Sequence, residues 1–167
     1  MDNESSTQRE LESLGLVACR YQAGGTHPEE LPMIAAEALA AGLDTPTLRE
    51  LAGLPRRADT GEIHDAFVDA LGEAGIGLPD PTVAERHALR RAAVRLVAGE
   101  ITPSGLASVD WTETEAGTTA EQSFLTLIPS CACCVEYALG LDRQTWETRL
   151  RSAALALTSS PPIRPGC

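Results

Sequence analysis

Three cysteines within four residues, in the stretch Ser130-Cys131-Ala132-Cys133-Cys134, are the part of this 167-residue chain best suited to chemistry. Three readings of them stand side by side. In the first they are packing. On a helix, Cys131, Ala132, Val135, Ala138 and Leu139 share one side with Cys134 at its edge, and cysteine packs as a small hydrophobe. That leaves out Cys133, which a helix turns about 200° away from Cys131. In the second reading Cys131 and Cys134, at i and i+3, chelate Zn2+ or Cu(I) as thiolates. A closed zinc site takes four ligands, and one regular helix cannot aim all three cysteines at one ion. Cys19 or a histidine would have to join them, giving Cys131, Cys134 and Cys19 as the expected metal set. His27, His64 and His87 are scattered, and no second Cys-x-x-Cys is present. In the third, Cys131, Cys133 and Cys134 are candidate reactive thiols. Cys131-x-x-Cys134 has redox spacing, and Pro129 or Ser130 would set it in a first helical turn, where the macrodipole favours a thiolate. Helical peroxidase-type disulfide reductases carry a histidine four residues after the second cysteine, and that position here is Ala138, which argues against their activity.

Other candidate groups have simpler readings. Arg86, Arg90, Arg91 and Arg95 form the only basic cluster. In a chain of net charge −11 it is expected to pair internally with Asp and Glu. His87, among these arginines, reads as a surface histidine. His64 and Asp65 are adjacent on a helix and do not face each other, so they make no dyad. Aspartates 59, 65 and 69 read as a solvated face. Gly-x-Ser-x-Gly, His-Glu-x-x-His, EF-hand and phosphate-loop motifs are absent. Trp111 and Trp146 read as core or interface anchors, each contributing about 3–5 kcal/mol if buried.

The elements that would position these groups are helices separated by caps. An apolar face of Leu11, Leu14, Ala18 and Tyr21 predicts a helix over 7–22, stopped at Gly24-Gly25. Thr26 with Glu29 reads as a capping box, opening a helix that runs to about Ala41 with Gly42 as its C-cap. Thr45, Asp59, Asp80 and Thr102 open further helices, the last with Leu106 and Val109 inward. Residues 112–119 are polar and read as a loop. Thr118 and Glu121 cap a helix containing Phe124, Leu125 and Leu127, which Pro129 kinks or restarts. Residues Cys131–Leu139 follow as a helical segment ended by Gly140, and Asp142 caps a last helix with Trp146, Leu150, Ala154 and Leu157 inward. No run alternates long enough for a strand. The fold expected is all-α, an irregular orthogonal bundle of about eight short helices. It forms a single domain over 1–158, with a lobe boundary at 112–119 and a flexible Pro-rich tail over 159–167.

All thirteen basic residues are arginine and Asn3 is the only asparagine. With abundant Ala, Gly and Pro this points to a high-GC coding sequence, as in actinomycetes. The stretches Leu31-Pro-Met-Ile-Ala-Ala-Glu-Ala-Leu-Ala-Ala-Gly-Leu-Asp-Thr-Pro-Thr-Leu-Arg-Glu-Leu-Ala-Gly-Leu and Leu96-Val-Ala-Gly-Glu-Ile-Thr-Pro-Ser-Gly-Leu resemble small all-helical proteins of actinomycetes. The resemblance covers about residues 30–111. It describes packing and caps, and it implies no activity and no site residue.

Composition limits the partners. Aromatic residues make up only 4%, so Leu, Val, Ile and Ala must build the core. The negative field repels nucleic acid and anionic membrane, and no apolar run approaches the ~18 residues of a membrane span. Met1 to Glu12 lacks the pattern of a signal peptide, so a cytoplasmic location with reduced cysteines is expected. The function expected is a non-catalytic accessory or binding protein for a protein partner or small molecule, in an immunity, resistance or pathway-accessory role, with no cofactor. The alternative is a thiol-dependent protein using Cys131, Cys133 and Cys134, either as a Zn or Cu(I) binder or as a cysteine-dependent enzyme.

Overall fold

The computed structural model describes residues 2–161. Among them every regular element is helical, and the fold is all-α. The residues divide into two compact units, one running to Ala84 and the other starting at Glu85. The polar stretch 112–119 lies inside the second unit.

The first unit holds α1 (Asp2–Gln22), a 3-10 turn (Pro28–Glu30), α2 (Leu31–Ala40), α3 (Pro46–Ala52) and α4 (Thr60–Glu73). Helix α1 starts five residues before its expected beginning. The cap before α2 also shifts by one residue. Pro28 occupies the first position of the 3-10 turn, so His27 is the N-cap and the Glu30 carboxylate accepts its backbone N–H at 3.2 Å. Thr45 and Asp59 cap α3 and α4 through their side chains. Helices α2 and α3 pack together, as do α3 and α4, around Leu31, Leu48, Leu51, Ile63, Phe67 and Leu71, each at most 1% exposed. Leu14 and Ala18 bring α1 into the same core.

The chain enters the second unit within α5 (Pro81–Val97) and continues through α6 (Pro103–Ala107), α7 (Thr119–Leu125), a 3-10 turn (Ala132–Cys134), α8 (Val135–Leu139) and α9 (Arg143–Ser159). Its core is Leu89, Ala93, Leu96, Leu106, Phe124, Val135, Trp146, Leu150, Ala154 and Leu157. Trp146 is fully buried, and its indole N–H donates to the Leu127 carbonyl at 2.7 Å. Helix α6 ends at Ala107, which leaves Val109 beyond the helix and exposed rather than inward. Helix α9 runs through Ser159, so the first residue of the expected tail is helical; positions 162–167 of that tail lie outside the described residues.

Most of the arginine cluster is used inside this unit. Arg86 donates from Nε and Nη2 to the Glu121 carboxylate at 2.9 and 3.1 Å. Arg90 donates to the carbonyls of Thr158 and Ser160, which α9 leaves open at its C-terminal end. Arg95 pairs with Glu100 at 3.3 Å. His87 differs from its expected reading. Its Nε2 is buried and has no hydrogen-bond partner among the described residues. Burial first, then the charges of Arg91, Arg86 and Arg90, hold its imidazole below the ordinary range against the opposing pull of Glu121.

Candidate thiol site

The cysteine segment does not form the regular helix expected of it. Helix α7 stops at Leu125, and the buried Pro129 has no N–H to continue a helical ladder. Cys131 is then extended, at φ −154° and ψ 149°. Its carbonyl accepts the Cys134 N–H at 3.1 Å, which closes the 3-10 turn. Helix α8 begins only at Val135, whose buried side chain ties the turn to the core. Five residues later Gly140, at φ +65°, ends it in the left-handed conformation that glycine adopts without strain.

This backbone changes where the sulfurs go. A 3-10 turn has about three residues per turn, which brings positions i and i+3 nearly into line. With an extended residue at its start, the 200° divergence of an α-helix does not apply. The Sγ atoms of Cys131, Cys133 and Cys134 all lie within 4.8 Å of one another. Cys133, which helical geometry would point away, is therefore a full member of the group. Cys19, expected to complete a metal set, is buried on α1 in the first unit and is not one of the three.

The three sulfurs are not equivalent. Cys131 and Cys133 form a disulfide, where reduced cysteines were expected. Only one residue separates them, so the fold itself holds the two sulfurs together whenever the turn is formed. Cys134 is a free thiol, half-buried, with its Sγ 3.7 Å from that of Cys133. Cys133 is exposed, so solvent reagents reach the disulfide from that side.

Residues just before the cysteines border a cavity of about 680 Å3 in the same unit. The Trp111 indole, Leu125 and Ile128 supply apolar wall, and Asp110 and Glu115 supply charge. The Trp111 N–H donates to the Leu106 carbonyl at 3.1 Å, which fixes the indole in place. Its lining joins residues 107–116, at and after α6, with residues 122–130, in and after α7, and spacing along the chain does not announce that meeting.

No family model, curated protein or solved structure matches the chain.

Proposed function

We propose that this is a non-catalytic binding protein whose second unit holds one soft metal ion, Cu(I), through the thiolates of Cys131, Cys133 and Cys134. The observation that carries the reading is the convergence of three sulfurs within 4.8 Å on a turn held by the core. Sulfurs about 2.3 Å from a shared ion stand about 3.8 Å apart in a tetrahedral shell and about 4.0 Å apart in a trigonal one. The 3.7 Å between Cys133 and Cys134 is close to both values, and Cys131 and Cys133 must separate to the same spacing once their bond is reduced. Thiolates select soft ions. Three of them complete a trigonal Cu(I) shell, whereas a closed zinc site takes a fourth ligand.

Binding requires reduction. A dithiol delivers two electrons and two protons to the Cys131–Cys133 bond, yielding two thiols and the oxidised reagent. The incoming ion then displaces the thiol protons. A reducing compartment such as the cytoplasm would keep the site competent, and oxidation to the disulfide would leave Cys134 as its single sulfur ligand.

The test is anaerobic titration of the reduced full-length chain with Cu(I) against the chromophoric chelator bicinchoninate. The expected result is one Cu(I) per chain, lost on diamide oxidation and lost in the C131S/C133S/C134S variant. Uptake unchanged in that variant, or no uptake by the reduced chain, overturns the proposal. Retention of zinc with refusal of Cu(I) overturns the assignment of the ion.

A further inference from the structure

The cavity beside the cysteines has a chemistry of its own that the thiol site does not use. Its volume of about 680 Å3 falls within the range of small-molecule sites, about 300–1,000 Å3. Among its lining residues the only charged ones are Asp110 and Glu115; no arginine or histidine lines it. The remaining wall is mixed, with the fixed indole of Trp111 as its one aromatic group.

Asp110 is built to stay ionised. Its Oδ1 accepts both the Thr112 N–H at 3.0 Å and the Thr112 hydroxyl at 2.6 Å. The same two bonds, the hydroxyl's first, hold the carboxyl below its ordinary range. Both are made to Oδ1, leaving Oδ2 for a ligand. A partly apolar cavity with an anchored indole and carboxylates as its only ions is complementary to one class of molecule. An ammonium or amidinium group is drawn to the carboxylates and to the face of an indole, and a flat apolar body covers the hydrophobic wall. An anion of the same shape is repelled by both carboxylates and by the overall charge of −11.

We infer that this cavity of the second unit is a binding site for a small organic cation with an aromatic or aliphatic body, oriented by Asp110 and Glu115 against Trp111. The inference is independent of the metal reading, because none of the three cysteines lines the cavity.

Three probes sharing one ring system separate charge from shape: 9-aminoacridine, a cation at neutral pH; acridine, neutral; and acridine-9-carboxylate, an anion. Their binding to the full chain is measured by isothermal titration calorimetry in low salt. The same series is run on the C131S/C133S/C134S variant, so that loss of the thiol site and loss of the cavity are read separately. Two screened attractions near the surface correspond to about a tenfold preference for the cation over neutral acridine. The anion should bind more weakly than either. The D110N/E115Q variant, which keeps the size of both side chains, should lose most of the preference while still binding acridine. W111F should weaken all three probes, and its far-UV circular dichroism checks that the fold persists. Equal binding of cation and anion, or a preference undiminished in D110N/E115Q, overturns the proposal. So does a cation preference that disappears in the cysteine variant while the cavity residues are intact.

Discussion

Glu121 gives the most direct test of how the second unit is held together. Its carboxylate is 1% exposed, and it accepts from Arg86 Nε at 2.9 Å, Arg86 Nη2 at 3.1 Å, the Gly117 N–H at 2.7 Å and the Thr118 N–H at 3.1 Å. Glu121→Ala leaves a guanidinium and two backbone donors unpaired in the interior. Removing one partner of a buried ion pair costs about 3–5 kcal/mol. Arg86 is 19% exposed, so water relieves part of that cost and the expected loss is about 3 kcal/mol. Glu121→Gln keeps the shape and one acceptor oxygen, and should lose about 1–3 kcal/mol. Both tryptophans lie in this unit, so tryptophan fluorescence during urea unfolding reports on it selectively. With a slope of about 1–2 kcal/mol per molar urea, Glu121→Ala should lower the midpoint by at least about 1.5 M. The R86M/E121M pair, which removes both charges, should recover much of the loss. The pH dependence has a definite sign. Burial pushes the Glu121 carboxyl up, but the Arg86 hydrogen bond, the Gly117 and Thr118 amides and the Arg86 charge together hold it below its ordinary value of 4.5. Its contribution is therefore complete above pH 4.5 and lost as pH falls through the lower folded value. A Glu121→Ala loss under about 0.5 kcal/mol would mean that the pair is no better than an exposed one, and would refute the reasoning.

Three further outcomes follow from particular contacts. Gly117→Ala places a Cβ on the Arg86 guanidinium, and should cost about 1–3 kcal/mol by urea unfolding, with much less cost in an Arg86→Ala background. Trp146→Phe removes the donor to the Leu127 carbonyl inside the core, and should cost at least about 1–3 kcal/mol in thermal unfolding followed by circular dichroism. His87 should titrate below 6.5 in NMR, because burial and then Arg91, Arg86 and Arg90 disfavour its cation. Since the unfolded chain binds that proton more readily, stability should fall as pH drops from 6.5 toward the folded value, and His87→Gln should flatten that part of the profile.

Much of the helical framework was legible because its signals are local. Thr45, Asp59, Thr102, Thr118 and Asp142 each accept a backbone N–H at a helix start, as their residue types indicate. Gly42, Gly75, Gly99 and Gly140 each take a positive φ just past a helix end. The misreadings arose where two local rules competed or where distant contacts decided. Pro28 fits the first helical position, which moves the cap from Thr26 to His27. His87 belongs to an arginine-rich run that looks solvated, yet its Nε2 is buried. The pair between the half-buried Arg86 and the buried Glu121 joins residues thirty-five apart in sequence, and spacing along the chain carries no mark of it. The division into two units within α5 is likewise a matter of which side chains meet, and α5 itself reads as one continuous helix.

The thiol site shows why a correct residue list can still give the wrong geometry. Cys131, Cys133 and Cys134 drew attention by density alone, and the helical template then set Cys133 apart from the other two. Pro129 is the residue that breaks the template, since a helix entering from α7 loses its ladder there. The extended Cys131 and the 3-10 turn follow in the short space before Val135 reaches the core. The sulfurs converge because the turn is tight and anchored at both ends, by Pro129 before it and Val135 after it, both buried. An ion taken up as proposed would find the backbone of the turn already ordered, and only the reduced sulfurs would have to adjust. The same tightness holds Cys131 and Cys133 close enough to oxidise. In the proposed reading, metal binding and disulfide formation would compete for the same turn; the reducing power of the surroundings would decide between them, with Cys131 and Cys133 separating to ligand spacing once reduced.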